Sequence, residues 1–234
     1  MSRREHSMVD PKAVKAAVFD LGGVLIEGGP REVVAFGERV GLSPERWEPV
    51  RRQLFGNDSA GARLERGEIS FAAFVEELKR RVVDAGGRID DATARAFMGR
   101  PEPMAETTTI RRAMVEAVRA LKAVMPTALL TNNIVEWREG WSTLFDDPSL
   151  FDVVIDSSAV GARKPERRIY EVTQQRLGVA HEEIFFVDDI GQNLKAARAL
   201  GWHTLLFTEE REVLPVLERL RAARDEAESE TTEA

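Results

Sequence analysis

The chain has no cysteine among its 234 residues and only three histidines, His6, His181 and His203. The first absence rules out disulfide staples, thiolate zinc sites and a cysteine nucleophile. The histidines are scattered and show no HExxH spacing, which leaves no basis for a histidine metal cluster. Long apolar runs are missing as well. The first candidate, Ala16 to Ile26, contains Asp20 and two glycines, so it is no membrane span. The basic start MSRREHSMVDPK lacks the apolar stretch of a signal peptide, and a cytoplasmic setting is the expectation. Nor is there an excess of positive charge: 33 Lys and Arg stand against 40 Asp and Glu, a formal charge of −7. That balance argues against a dedicated nucleic-acid or anionic-membrane surface. Much of it is local, because Asp225, Glu226, Glu228, Glu230 and Glu233 fall in the last stretch with no base among them.

What is present suits a globular protein of one domain, or one domain carrying an insertion. Five short apolar runs end in polar or turn residues: KAAVFD (15–20), TALLTN (127–132), DVVIDS (152–157), IFFVDD (184–189) and HTLLFT (203–208). Their apolar residues are continuous rather than alternating, as expected of strands covered on both faces of a parallel sheet. Helical periodicity separates the later runs, at 110–124, 166–177 and 192–200, with Gly178 and Gly201 as stops. The alternation predicts a doubly wound, Rossmann-like α/β fold with a mostly parallel five-stranded sheet.

About a hundred residues between the first two strands break this rhythm. They hold helical patterns at 31–40, 44–55, 70–86 and 90–98, with Ser43 and Ser70 as N-cap residues and Pro44 suited to a first turn. A crossover of that length without its own structure is improbable. The expected division is a core of 13–27 and 104–222, an all-helical cap of 28–103, and disordered tails at 1–12 and 223–234.

Ligands of open α/β sheets sit beyond the carboxyl ends of the strands. The first strand delivers Asp20 there, followed by Leu21-Gly22-Gly23; the second delivers Thr131-Asn132; the fourth delivers Asp188-Asp189. Lys164 follows the third strand in GARKP (161–165). Three carboxylates converging on one edge repel one another unless a cation neutralises them. With no histidine or cysteine nearby, hard oxygen ligands point to Mg²⁺. A lysine and a hydroxyl suit phosphate oxygens, and the glycines let main-chain N–H groups approach an anion. Each element alone has a plain structural explanation, a strand-end turn or a helix cap. Together they describe a Mg²⁺-assisted phosphoryl-transfer site with an aspartate nucleophile.

The segments FDLGGVL (19–25), LLTNN (129–133), GARKPERRIY (161–170) and FFVDDIGQN (185–193) resemble, in order, the four motifs of the haloacid dehalogenase (HAD) superfamily. The helical insertion is similar to that superfamily's C1 cap. GARKPERRIY, FFVDDIGQNLKAARALG and the cap stretch ERGEIS (65–70) look closest to the branch with the N-terminal phosphatase domain of soluble epoxide hydrolase and the bacterial sugar-1-phosphate phosphatases. The resemblance implies that Asp20 attacks phosphorus and forms an aspartyl-phosphate. It also implies that Asp20, the Gly22 carbonyl, Asp188 and Asp189 hold Mg²⁺. Thr131 and the Asn132 main chain would bind the phosphoryl group, Lys164 would offset charge, and Asn193 would orient the acidic loop. The partner implied is a small phosphorylated substrate. Nothing in the sequence sets an oligomeric state.

One departure matters. Most phosphatases of the superfamily carry a second aspartate two residues after the nucleophile, as proton donor and base; here that position is Gly22. A general acid–base contributes roughly 10²–10⁴-fold, so slow hydrolysis, an undemanding leaving group or a substitute acid is expected. Glu27, Asp58 and Glu65 are the candidates for that substitute. A weakly active or inactive phosphate-binding homologue and a metal-independent dehalogenase remain as alternatives, although the Asp188-Asp189 pair disfavours the dehalogenase. For substrate contacts, Trp47, Phe55, Arg63 and Arg66 of the cap compete with a purely packing or solvated role, as do Trp137 and Trp141.

Overall fold

Each of the five apolar runs forms a strand, and the computed structural model, which describes residues 10–232 apart from 29, 57, 99–107, 143 and 148, joins them in one parallel sheet. The strands are β1 (Ala16–Phe19), β2 (Thr127–Thr131), β3 (Val153–Asp156), β4 (Ile184–Asp188) and β5 (His203–Leu206), in the order β3-β2-β1-β4-β5. Val18 of β1 pairs with Ala128 of β2 on one side and with Phe186 of β4 on the other. The chain winds outward from β1 to β3 and then crosses back to β4. Strand order therefore reverses between β1 and β4, the place where such sheets open a crevice.

Among the described residues, the interval between β1 and the helix that leads into β2 holds α1 (Pro30–Arg39), α2 (Pro44–Phe55), α3 (Ala60–Glu65), α4 (Phe71–Asp84) and α5 (Asp91–Met98). This is the expected helical insertion. Ser70 caps α4 by accepting from the Ala73 N–H at 3.2 Å, and Ser59 caps the short α3 through Ala62 at 3.1 Å. Ser43 stands at the N-cap of α2 but its hydroxyl makes no cap bond, leaving Pro44 as the start signal. In the core follow α6 (Arg112–Lys122), α7 (Arg138–Ser142), α8 (Ser157–Val160), α9 (Arg167–Leu177), α10 (Gly191–Arg198) and α11 (Glu210–Thr232).

Alternate strand residues serve opposite faces of the sheet, and both faces are covered. Ala17, Phe19, Leu129 and Val187 pack with Met114 and Val118 of α6 and Val213 and Leu217 of α11. Val18, Ala128, Leu130 and Phe186 pack on the other face with Ile169 and Tyr170 of α9 and Leu194 of α10. The cap has its own core, including Phe36, Trp47, Leu54, Phe74 and Leu78, to which the sheet side contributes Ile134. Two strand-like passages connect cap and core. They bond to each other through Glu27 N–H to Thr109 (2.9 Å) and Arg111 N–H to Leu25 (2.8 Å).

The C-terminal stretch departs from expectation. Instead of a disordered tail from 223, α11 continues to Thr232. Its Ala, Glu and Arg residues are good helix formers, and Arg221 pairs with Glu218 and Asp225 along one helix face. At the other end Pro11–Ala13 form a 3₁₀ turn capped by Asp10, while residues 1–9 lie outside the described residues.

Candidate active site at the carboxyl edge of the sheet

Asp20 follows β1, and its main-chain N–H still bonds to Val187 of β4 at 3.0 Å. Its carboxylate accepts from the Leu21 N–H at 2.7 Å and is buried. The chain then turns sharply: Gly23 donates to the Ile26 carbonyl at 2.9 Å, and Gly22 bridges to Ile26. Gly23 adopts a φ of +79°, and a Cβ there would lie 2.2 Å from Asp189 Oδ2. Only glycine lets this turn approach Asp189 so closely. Gly22 is different, since a Cβ on it would meet nothing within 4 Å.

At the end of β4, Asp188 is held on all sides. It accepts from the Ile190 N–H (2.7 Å), from Asn193 Nδ2 (3.0 and 3.1 Å) and from Lys164 Nζ (2.8 Å). Lys164 Nζ also reaches Asp20 Oδ1 at 2.7 Å, so one ammonium, only 1% exposed, joins the acids of β1 and β4. A carboxylate oxygen from each of Asp20, Asp188 and Asp189 lies within 4.8 Å of the other two. Asp189 Oδ1 is buried and has no hydrogen-bond partner. The acids of the predicted metal site (Asp20, Asp188 and Asp189), Lys164 and Asn193 thus meet at one edge.

The electrostatics follow from this crowding. Burial, with the nearby Asp188 and Asp189 charges, outweighs Lys164 and holds the Asp20 carboxyl well above the usual carboxylate range. Burial and the Asp188 charge push Asp189 up to about 6. For Lys164, burial alone would lower the pKa; Asp188 and Asp20 outweigh it and keep the ammonium charged. A hard divalent cation fits this set, because the donors are oxygens and one of them is buried without a partner.

At the end of β2, Thr131 is buried and its hydroxyl is 3.5 Å from the Asn132 carbonyl. Asn132 makes two bonds to the main chain of Lys164: Oδ1 accepts from its N–H at 2.8 Å and Nδ2 donates to its carbonyl at 2.9 Å. Sequence reasoning passed over the polar end of β3. Asp156 there is buried and accepts from Asn133 Nδ2 (2.7 Å) and from the Ser158 N–H and hydroxyl (2.9 and 2.6 Å). The signal was present, since Asp156 ends a strand as Asp20 and Asp188 do.

The cap reaches the same edge through the end of α3. Glu65 pairs with Arg163 and accepts from Asn132 Nδ2 at 3.2 Å, while its carbonyl accepts from the Ser157 hydroxyl at 2.6 Å. Arg66 bonds Glu68 within the cap and Glu166 of the core, the latter at 2.8 Å. Arg66 is therefore a cap–core tie. Trp47 is buried in the cap core, donating to the Val33 carbonyl at 2.8 Å, and the partly buried Phe55 packs against that core. Arg63 is half-exposed beside Glu68. Trp137 packs against both the cap core and a core face, and the side chain of Trp141 lies outside the described residues. Asp58 is exposed, and Glu27, 57% exposed, faces Arg111 at 3.8 Å.

Comparison with known proteins agrees with this geometry. Residues 14–201 match the family described as haloacid dehalogenase-like hydrolase. The chain is 29% identical over 220 residues to bifunctional epoxide hydrolase 2 of Sus scrofa, covering 89% of this chain and 39% of that protein. It thus spans well under half the length of the first curated relatives it matches. Against the sesquiterpene phosphatase astK of Aspergillus oryzae it is 28% identical over 198 residues, covering 83% of this chain and 90% of that protein. In fold it is similar to a HAD family enzyme from Bacteroides thetaiotaomicron solved with magnesium and inorganic phosphate. There the TM-score is 0.59 at 22% identity, over 83% of this chain and 94% of the other.

Proposed function

The chain belongs to the haloacid dehalogenase-like hydrolases, and from that premise we propose that it is a Mg²⁺-dependent phosphatase that hydrolyses a small phosphorylated metabolite through a phosphorylated Asp20. The observation that carries this reading is Lys164 Nζ, 2.7 Å from Asp20 and 2.8 Å from Asp188 in a cluster that also includes Asp189. One ammonium among three carboxylates leaves a formal charge of 1 − 3 = −2, and a phosphate ester adds more negative charge. Asp20, the Gly22 carbonyl, Asp188 and Asp189 are the groups that would hold Mg²⁺. Bound there, the ion supplies charge neutralisation for the phosphoryl oxygens.

Asp20 attacks phosphorus in line, and the bond to the leaving-group oxygen breaks. Water then cleaves the aspartyl-phosphate, releasing inorganic phosphate and regenerating Asp20. The Thr131 hydroxyl and the Asn132 main chain bind phosphoryl oxygens, and Lys164 offsets the charge between nucleophile and phosphate. Asn193, through its bonds to Asp188, orients the acidic loop. Positioning and charge neutralisation account for most of the catalysis in phosphoryl transfer. The core, 13–27 and 104–222, carries these groups, and the cap, 28–103, covers them. Gly22 moves no proton, so hydrolysis is slow or specialised unless another acid stands in.

The test is turnover of p-nitrophenyl phosphate that requires Mg²⁺ and disappears in Asp20→Asn. Halide release from a 2-haloacid without metal would replace this reading with a dehalogenase. Phosphate binding without turnover across a panel of phosphomonoesters would replace it with a binding homologue.

A further inference from the structure

An alkoxide leaves phosphorus readily only when it is protonated as the bond breaks, and the water that opens an acyl phosphate must lose a proton. In the site just described, Asp20 is spent as nucleophile, both oxygens of Asp188 are engaged by Ile190, Asn193 and Lys164, and Asp189 faces the cation site. The described histidines are remote: His181 precedes β4 and His203 begins β5, at the amino edge of the sheet. The Tyr170 hydroxyl donates to the Asn193 carbonyl at 2.9 Å. Glu27 and Asp58 are exposed, and Glu166 is taken up by Arg66 and the Arg163 N–H.

Glu65 remains. It is fixed at both ends, by Ser157 on its carbonyl and by Arg163 and Asn132 on Oε2. Among the described residues nothing donates to Oε1. The side chain is 19% exposed, burial raises its pKa against the opposing pull of Arg163, and Asn132 connects it directly to the segment bearing Lys164.

Resting on the phosphatase reading, we infer that Glu65, delivered by the cap, is the proton donor and base that the nucleophile's own loop lacks at Gly22. In the first step an Asp20 oxygen bonds to phosphorus, the P–O bond to the leaving group breaks, and the Glu65 carboxyl gives its proton to the departing oxygen. In the second step the Glu65 carboxylate takes a proton from water, the water oxygen bonds to phosphorus, and the P–O bond to Asp20 breaks. Inorganic phosphate leaves, and Asp20 carboxylate and protonated Glu65 are regenerated. Because the acid rides on the cap, the chemistry is complete only when α3 is docked on the core.

Leaving-group dependence tests this in the full chain with Mg²⁺. For Glu65→Gln, which keeps an acceptor for Arg163 and Asn132, kcat/KM falls about 100-fold on phenyl phosphate but less than about threefold on p-nitrophenyl phosphate. On p-nitrophenyl phosphate kcat falls, with a burst of nitrophenol and acid-stable trapping of phosphorylated Asp20. Gly22→Asp in the Glu65→Gln background, placed where the space is open, restores phenyl phosphate turnover at least about tenfold. Equal losses on both substrates without a burst would reduce Glu65 to a cap clasp and overturn the inference, as would unchanged kinetics. Melting temperatures of the variants separate loss of fold from loss of chemistry; if Glu65→Gln does not fold, Glu65→Asp keeping burst-free turnover supports the inference and a burst in it overturns it. A wild-type chain inert on both aryl phosphates defeats the phosphatase reading itself.

Discussion

The carboxamide of Asn132 and the main chain of Lys164 bond to each other twice, through Oδ1 at 2.8 Å and Nδ2 at 2.9 Å. Asn132 acts as a side-chain surrogate for a strand partner, fixing the segment after α8 to the end of β2. Lys164 has a long side chain whose ammonium must reach two carboxylates at once, and this fixed main chain determines where it starts. Asn132→Ala should lower stability by about 1–3 kcal/mol, since a buried donor and acceptor lose their partner. It should also lower kcat/KM by about 100-fold, because small misplacement of a catalytic charge is that damaging. Urea denaturation and p-nitrophenyl phosphate kinetics read the two effects separately. A stability loss with unchanged kinetics would show that Lys164 is placed without Asn132.

The acidic cluster predicts an unusual response to removing charge. Asp189→Asn should raise the melting temperature of the metal-free protein, because one of three mutually repelling carboxylates is gone. The same variant should lose the stabilisation by Mg²⁺, which for wild type reaches about 2.7 kcal/mol at a hundred times the dissociation constant. Thermal melts with and without Mg²⁺ check both signs. A metal-free variant less stable than wild type would contradict the repulsion argument.

Two glycines with nearly the same φ give a controlled comparison. Gly23 has φ +79° and Gly41 has φ +75°, but only at Gly23 would a Cβ collide with a neighbour, Asp189. Gly41→Ala should lose about 1–2 kcal/mol from the left-handed conformation alone. Gly23→Ala should lose that and, by displacing the Asp189 carboxylate, the Mg²⁺ response as well. Calorimetric titration with Mg²⁺ distinguishes them; retained Mg²⁺ binding in Gly23→Ala sinks the prediction.

Asp152 gives a pH dependence away from the site. Burial would push its pKa up, but the Lys122 ammonium (2.6 Å) and the Thr127 N–H (2.9 Å) outweigh that and hold it below the usual aspartate range. A lowered folded-state pKa means that the stabilisation is present above the unfolded value and is lost as pH falls through the folded one. Asp152→Asn should therefore be less stable than wild type at neutral pH, by no more than about 1 kcal/mol because the side chain is 44% exposed. The two should converge as pH drops below the usual aspartate range, once the folded-state carboxylate is protonated too. Chemical denaturation at several pH values decides it, and a gap that stays constant into acid rules out the electrostatic explanation.

By itself the sequence determined the five strands, the position and helical nature of the insertion, and the acids and lysine that meet at the sheet edge. Those features are legible because a strand covered on both faces shows up as an unbroken apolar run, and because a parallel sheet delivers its strand-end residues to one edge. Tertiary structure alone decided the rest. Glu65 meets Arg163, 98 residues away, and Arg66 meets Glu166, 100 residues away, contacts that depend on how the cap docks. The burial of Asp156 beneath Asn133, the withdrawal of Trp47 and Phe55 into the cap core, and the helical course of the acidic C-terminal stretch were equally hidden. Local pattern specifies which face of an element is apolar. Which other face it meets is set by packing and by charge pairs that form only once distant segments are brought together.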